Sequence, residues 1–329
     1  AAHMRSQMPV AEPFEALQAP IVADMVAEVE GMSNITVKTG TEVARIAGQP
    51  GEFTVTMKKP GEKISFDVPF PLPEEMLVDE DGKELDVEAQ HEAYLKYNEG
   101  REDILQLDPK GELYGAVVLA AGWRPSTFEG EEFAHLGVEL SDVVTNEEFE
   151  KIASKGKIVR PSDGKEAKNV VFIQSPCKDE DDSDFEYAGS VTSMVALKQA
   201  RYVRDDYEDG KAYVIYQHMR TPGLQELFYK SMQQEDGVFM TKGAVTEVVQ
   251  KGSGLAVTAT NTLLGESLAI EADMVVVAAG MVPVTKDDPI VNLAYRQGPG
   301  FRDNDIFGQY ADSNYICFPY ETQRTGIYA

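Results

Sequence analysis

Residues 117–125, Val-Val-Leu-Ala-Ala-Gly-Trp-Arg-Pro, return almost unchanged as residues 275–283, Val-Val-Val-Ala-Ala-Gly-Met-Val-Pro. Each copy is a short, unbroken apolar run rich in β-branched residues. That pattern predicts a strand buried on both faces of a parallel sheet, since a half-exposed strand would alternate polar and apolar. A glycine directly after such a strand has a separate cause. Where a strand of an open parallel sheet ends at a ligand crevice, a side chain would hold the ligand off, and Gly122 and Gly280 remove it. A single Ala-Ala-Gly ending is weak information, but two in matched surroundings point to a duplicated nucleotide-type domain.

The match extends upstream. A helix is predicted over residues 13–30, where Leu17, Ile21, Met25 and Val29 lie four apart, and another over 222–235, led by Pro222 and facing inward through Leu224, Leu227, Phe228 and Met232. Short strands follow at 35–37 and 238–240, then at 41–43 and 246–248, then at 51–56 and 254–259. Gly61-Glu62-Lys63 and Gly265-Glu266-Ser267 mark matching turns into a third antiparallel strand. The Thr-Glu-Val markers at 41 and 246 lie 205 apart, whereas Gly122 and Gly280 lie 158 apart, so the first copy carries 205 − 158 = 47 additional residues. These fall at 69–113, with fourteen acidic and four basic residues between Pro69 and Glu112 and one predicted helix, Asp86 to Tyr97. The insertion reads as a solvated excursion or as a docking surface for another subunit.

Composition excludes several classes. A chain of 329 residues with 43% hydrophobic residues can bury a full core and has the length of about two domains. Its 56 acidic against 30 basic residues give a net charge of −26, a field that repels nucleic-acid phosphates and anionic lipid. The longest apolar runs fall short of the ~18–20 residues that cross a bilayer. Two cysteines, Cys177 and Cys317, are too few for a disulfide framework and suit a reducing compartment, so the expected location is cytoplasmic. Residues 1–12, opening Ala1-Ala2-His3-Met4, read as a tag or leader without the features of a signal peptide.

The first βα turn tests a nucleotide domain, because there the N–H groups of a helix N-terminus meet a pyrophosphate. In the second copy the strand is Asn169 to Gln174, and residues 175–190 follow it without a G-x-G-x-x-G and with six carboxylates, Asp179, Glu180, Asp181, Asp182, Asp184 and Glu186. Such a loop repels a dinucleotide, and it lacks the glycine and terminal glutamate of a calcium loop. The helix at 191–207, with Met194, Leu197, Ala200 and Val203 inward, and the strand at 212–216 keep their expected places. NAD(P) is therefore not expected. In the first copy the corresponding strand, glycine turn and helix would lie upstream of residue 13.

A βα unit, a three-stranded antiparallel excursion and a returning apolar strand resemble the dinucleotide-binding domain of two-domain flavoprotein reductases. Thr325-Gly326-Ile327-Tyr328-Ala329 resembles the opening of the element by which those proteins hold the flavin's phosphates and ribityl chain. The combination of Val170 to Gln174, Ala196 to Tyr207, Tyr213 to Thr221, Pro222 to Met240 and Phe307 to Ala329 resembles the A-type subunit family of heterodisulfide reductases, across most of the chain outside 69–113. The resemblance implies FAD, iron–sulfur clusters and electron transfer among the subunits of a complex. It also marks departures: Ser175, Ala188, Thr192 and Ser193 stand where relatives carry cysteine ligands, and the acidic insertion replaces a cysteine-rich one, so no iron–sulfur cluster is assigned to this segment. Cys177 alone cannot hold a cluster.

The remaining candidates are modest. His91 and His218 lack metal-spaced partners. Trp123 fits against a flavin or in a domain seam, and Arg220, after a strand that often reads a ribose, fits a salt bridge better. No nucleophile–base set or acid–base pair stands at convincing spacing, so no catalytic residue and no metal ligand is assigned. The expected architecture is α/β, with two related three-layer ββα domains of the two-domain flavoprotein reductase kind: a partial FAD-type domain over 13–150 plus 285–329, and a degenerate NAD(P)-type domain over 155–284. Expected cofactor contacts are Ala120, Ala121, Gly122, Trp123, Gly280, Met281, Thr325, Gly326 and Ile327. The expected partners are other subunits of an electron-transfer complex, with a homo-oligomer left open; a non-catalytic scaffold and an NAD(P)H-dependent flavin reductase are the alternatives.

Overall fold

The computed structural model describes residues 4–62, 85, 89–90, 93, 111–174, 189–284, 303–304, 309–310 and 326–328. Two compact units emerge: residues 1–36 with 124–282, and residues 37–123 with 283–329.

The first unit is built on a seven-stranded sheet. Its centre is parallel: β7 (Asn169–Ile173) lies between β8 (Lys211–Tyr216) and β12 (Met274–Val277), and β12 pairs in turn with β6 (Val143–Thr145). Beyond β8 runs β9 (Val238–Lys251), parallel to β8 at its start and antiparallel to β10 (Gly254–Asn261) further on, with β11 (Glu266–Ala272) at the edge. One strand therefore covers the two expected at 238–240 and 246–248, with a bulge opposite Thr258 and Ala259. Alternate residues of the central strands serve two cores, which is why those strands are apolar throughout. Val170, Phe172, Met274 and Val276 meet Phe149, Leu197, Tyr202, Phe228 and Met232 of the helices. Val171, Ile173, Val275 and Val277 meet Phe133 and Leu136 with Val245, Val248, Leu255 and Val257.

The helices of this unit follow local signals. The helix at Asn146–Ala153 opens with a capping box, in which the side chains of Thr145 and Glu148 reciprocally satisfy two N-terminal amides. Val191 to Asp206 form a helix as expected, begun two residues earlier at Gly189, with Met194, Leu197, Ala200 and Val203 buried. The helix of residues 225–233 buries Phe228 and Met232 but leaves Leu224 and Leu227 exposed, against expectation. Because β6 and its following helix pack here, residues 13–36 and 124–150 lie in the same unit as 155–282. The division falls at 123/124 and 282/283, earlier than the sequence boundary near 150.

The expected helix at 13–30 is shortened to Val22–Gly31. Pro20 explains this, since proline lacks the N–H a helix interior needs and pushes the preceding residue toward extended backbone. Residues 4–18 instead form a loop that turns at 11–13 and doubles back on itself. Gln7 and Gln18 exchange backbone hydrogen bonds of 2.9 and 3.1 Å, and the Arg5 guanidinium grips both oxygens of Asp206 at 3.0 and 2.7 Å. Leu17 packs on the core, but the helix itself buries no residue, and Met25 is 54% exposed. Residues 35–37 are not a strand.

The second unit carries an antiparallel meander of β1 (Glu42–Gln49), β2 (Glu52–Lys58) and β3 (Glu112–Tyr114). Among the described residues β3, at the close of the acidic insertion, pairs with the second edge of β2, and the strand expected after Gly61-Glu62-Lys63 lies outside the described residues. Of the expected helix Asp86–Tyr97 only Ala89, Gln90 and Ala93 are described, and they are helical. The short strands β14 (Asp303–Asn304) and β15 (Gln309–Tyr310) pair with each other, antiparallel. β4 (Val117–Val118) pairs in parallel with β16 (Ile327–Tyr328). Ile46, Phe53, Val55 and Ile327, with Met57, Val117 and Leu119, make the small core. β4 is not buried on both faces as expected: Val118 is 72% exposed, whereas its counterpart Val276 is 2% exposed.

Candidate functional site

The two Ala-Ala-Gly endings run into β5 (Trp123–Pro125) and β13 (Met281–Pro283), which form a two-stranded sheet. Two bonds show the symmetry of the repeat: the Ser126 N–H donates to the Gly280 carbonyl at 3.1 Å, and the Val284 N–H donates to the Gly122 carbonyl at 3.1 Å. Donor and acceptor exchange places under the 158-residue offset (126 + 158 = 284; 122 + 158 = 280).

The endings differ in what surrounds them. Ala120, Ala121 and Gly122 are exposed, and Gly122 has φ +73° with no atom within 4 Å of where a Cβ would stand. Backbone without covering side chains, next to the Trp123 ring at 48% exposure, leaves a surface that a planar ligand can approach closely. Gly280 is buried and Met281 half-buried.

Gly326 and Ile327 are placed elsewhere. In the parallel register Ile327 lies opposite Val117, so Gly326 sits at the entry to β16, while Gly122 lies beyond the far end of β4. Gly326 has φ +82°, and a Cβ there would fall 2.9 Å from Cε2 of Phe53 and 3.2 Å from Cβ of Pro50. Its lack of a side chain serves the core, and Ile327 is itself core. Thr325 lies outside the described residues. The structure therefore brings Ala120, Ala121, Gly122 and Trp123 together and sets Gly326 and Ile327 apart from them.

In the other unit the described residues that flank the first βα turn, at the end of β7 and the start of the following helix, bond one another. Gln174, at the end of β7, is buried and donates from Nε2 to Thr192 Oγ1 and Ser193 Oγ, both at 3.1 Å. Both hydroxyls reach the Gly189 carbonyl, at 3.3 and 2.6 Å, and Ser193 Oγ also accepts from the Arg220 backbone N–H at 3.1 Å. Buried polar atoms need such partners, so these bonds fix the start of the helix. The Arg220 side chain lies over the same point: a Cβ on Gly189 would stand 2.9 Å from its Nη1. Sequence singles out Thr192, Ser193 and Arg220 one at a time and does not reveal that they share a network with Gln174. A glutamine closing an apolar strand is the available signal. Ser175, Ala188, Cys177, Cys317, His91 and the six carboxylates at 179–186 lie outside the described residues. Among the described residues no group of three or more His, Cys, Asp or Glu is arranged to hold a metal, and no helix is long and apolar enough to cross a membrane.

No protein-family profile matches the chain. It is 32% identical over 201 residues to a CoB–CoM heterodisulfide reductase iron–sulfur subunit, of the A type, from Methanopyrus kandleri, covering 57% of this chain and 30% of that protein. The chain is similar to A-type heterodisulfide reductase subunits. A second such subunit, from the ferredoxin/F(420)H(2)-dependent CoB–CoM heterodisulfide reductase of Methanosarcina acetivorans, is 27% identical over 84% of this chain and 40% of its own length. The chain thus spans well under half of either relative. Among solved structures, Lactococcus lactis thioredoxin reductase matches at a TM-score of 0.50 and 11% identity, over 99% of this chain and 76% of that one. That likeness concerns fold alone, and it agrees with the expected α/β architecture.

Proposed function

We propose that this chain is part of an FAD-dependent electron-transfer oxidoreductase subunit. It would work in the cytoplasm within a multi-subunit complex of sulfur or quinone energy metabolism, and the B-type subunit of the quinone-interacting membrane-bound oxidoreductase complex is the narrower likeness. The reading rests on one contrast between the strand endings: Ala120, Ala121 and Gly122 are exposed backbone with open space at Gly122, while Ala278, Ala279 and Gly280 are buried. In the first half, Ala120, Ala121 and Gly122 would let a flavin lie close to the main chain, and Trp123 would flank it. Bound FAD supplies electron transfer through its ring, and the protein's part is to position the ring and exclude competing reactions. In the second half, residues 175–190 lack a G-x-G-x-x-G and carry six carboxylates that repel a pyrophosphate, so NAD(P)H is not proposed as the reductant. No iron–sulfur cluster belongs to this segment, and electrons would arrive from and leave to partner subunits.

The loss of the glycine pattern from residues 175–190 also favours a second reading, a scaffold whose nucleotide sites have both decayed. Reconstitution separates the two. The natural polypeptide incubated with FAD and then desalted is expected to retain a visible flavin band at one equivalent or fewer. A colourless protein favours the scaffold, and saturable NADH binding would revive an NAD(P)H-dependent flavin reductase.

A further inference from the structure

The turn after the second meander strand is composed differently in the two copies. In the second copy β10 passes into β11 through Asn261-Thr262-Leu263-Leu264-Gly265-Glu266; in the first, β2 runs out through Lys58-Lys59-Pro60-Gly61-Glu62. Both turns use a glycine with left-handed backbone, φ +71° at Gly265 and +80° at Gly61. The first copy surrounds that glycine with lysine, proline and glutamate, as suits a turn facing water. The second places leucine at two positions, and Leu263 is 74% and Leu264 70% exposed. Neither leucine side chain makes the turn. Asn261 Oδ1 accepts the Leu263 and Leu264 N–H groups at 2.9 and 3.0 Å, the Asn261 carbonyl accepts that of Gly265 at 2.8 Å, and the Lys242 carbonyl of β9 accepts that of Thr262 at 3.0 Å. Successive amides are thus satisfied without either side chain, and the two leucines are held outward on a fixed loop.

We propose that the Leu263-Leu264 tip is an anchor that inserts into an apolar pocket, set in a basic surface, on a partner subunit. Apolar side chains on a preformed loop lose little conformational freedom on binding, which favours their use as an anchor. The net charge of −26 selects among occupants. It draws in a basic surface and repels a second copy of this chain, and a two-fold contact centred on the tip would set two convex loops against each other. It repels anionic lipid as well, and two leucine side chains carry fewer carbons than a single myristoyl chain, which alone anchors only marginally. Two side chains are far from the ~800 Å² that each partner of a stable complex buries, so the tip works within a wider contact. The inference rests on the proposed reading of the chain as part of a subunit in a complex, and deepens it by naming the surface and the chemistry of the partner.

Photocrosslinking within the natural, assembled complex tests it. The natural polypeptide carrying Leu264→p-benzoylphenylalanine should crosslink to a partner subunit, at a segment of apolar residues flanked by Lys or Arg. A crosslink to a second copy, to lipid or to another segment of the same polypeptide overturns the proposal, and so does an assembled complex with no crosslink from this position. Leu263→Ser combined with Leu264→Ser gives a second readout: it should leave the melting temperature of the unassembled polypeptide unchanged and weaken association with the crosslinked partner by about tenfold or more. A melting temperature lowered by several degrees, or unchanged association, contradicts an anchor. Association of the unaltered polypeptide should also weaken as salt rises, and indifference to salt contradicts the basic surround. A natural polypeptide that forms no complex refutes the proposed function together with this inference, whereas a complex in which the tip touches no partner refutes the inference alone.

Discussion

Gly122 and Gly326 share a left-handed backbone for opposite reasons, and alanine substitution separates them. Gly326→Ala drives a methyl group into Phe53 and Pro50, so it should cost about 1–3 kcal/mol for overpacking beyond the roughly 1–2 kcal/mol of the backbone conformation. Gly122→Ala meets open space and should cost about the backbone share alone. Urea denaturation of both variants checks the order, and a larger loss for Gly122→Ala would contradict the packing described here. Tyr207 offers a pH readout. Burial comes first among the causes that push its hydroxyl up to about 12 from 10.0, followed by the carboxylates Glu166, Asp206 and Asp273. A raised folded-state value means the contribution is complete below about pH 10 and is lost as pH climbs toward about 12. Tyr207→Phe should therefore flatten the fall in stability over that window, and an unchanged slope would count against it. Tyr202, raised by burial and by Glu150, adds to the same decline.

At the scale of elements, the legible parts are those whose sequence period matches their surroundings. β7, β12 and the helix of residues 189–206 are readable because each is buried as its pattern demands, from Val170 and Phe172 on one face to Val171 and Ile173 on the other. The helix at 13–30 is overread when four-residue spacing is weighed without Pro20. Glu112-Leu113-Tyr114 goes unread as a partner of β2 because it follows a long insertion that no local signal bridges. β4 reads as buried because Val-Val-Leu is composed like Val-Val-Val; composition records what a strand can bury, and its neighbours decide what is covered. The Gln174–Thr192–Ser193 network joins residues eighteen and nineteen apart. Ser193→Ala removes an oxygen that bonds Gln174, Gly189 and Arg220, and should cost about 1–3 kcal/mol because buried partners are left unpaired. It should not create NADH affinity, because Arg220 still lies over Gly189; saturable binding to the variant would show that the hydroxyl, and not the arginine, closes the turn.

At the scale of the whole molecule, two units carry matched Ala-Ala-Gly strand endings that differ in their surroundings. In the seven-stranded unit β12 ends in buried small residues, and in the smaller one β4 runs into exposed ones. A net charge of −26 adds a field that steers anionic partners away and basic ones in, so association with a basic redox partner should weaken as salt rises. The proposed roles divide between the halves: electrons pass through a flavin in one, while the other gives no entry to a nicotinamide. The direct test is anaerobic mixing of the FAD-loaded natural polypeptide with excess NADH while the flavin band is followed. The band should persist with NADH and bleach with dithionite; rapid bleaching by NADH would contradict the account.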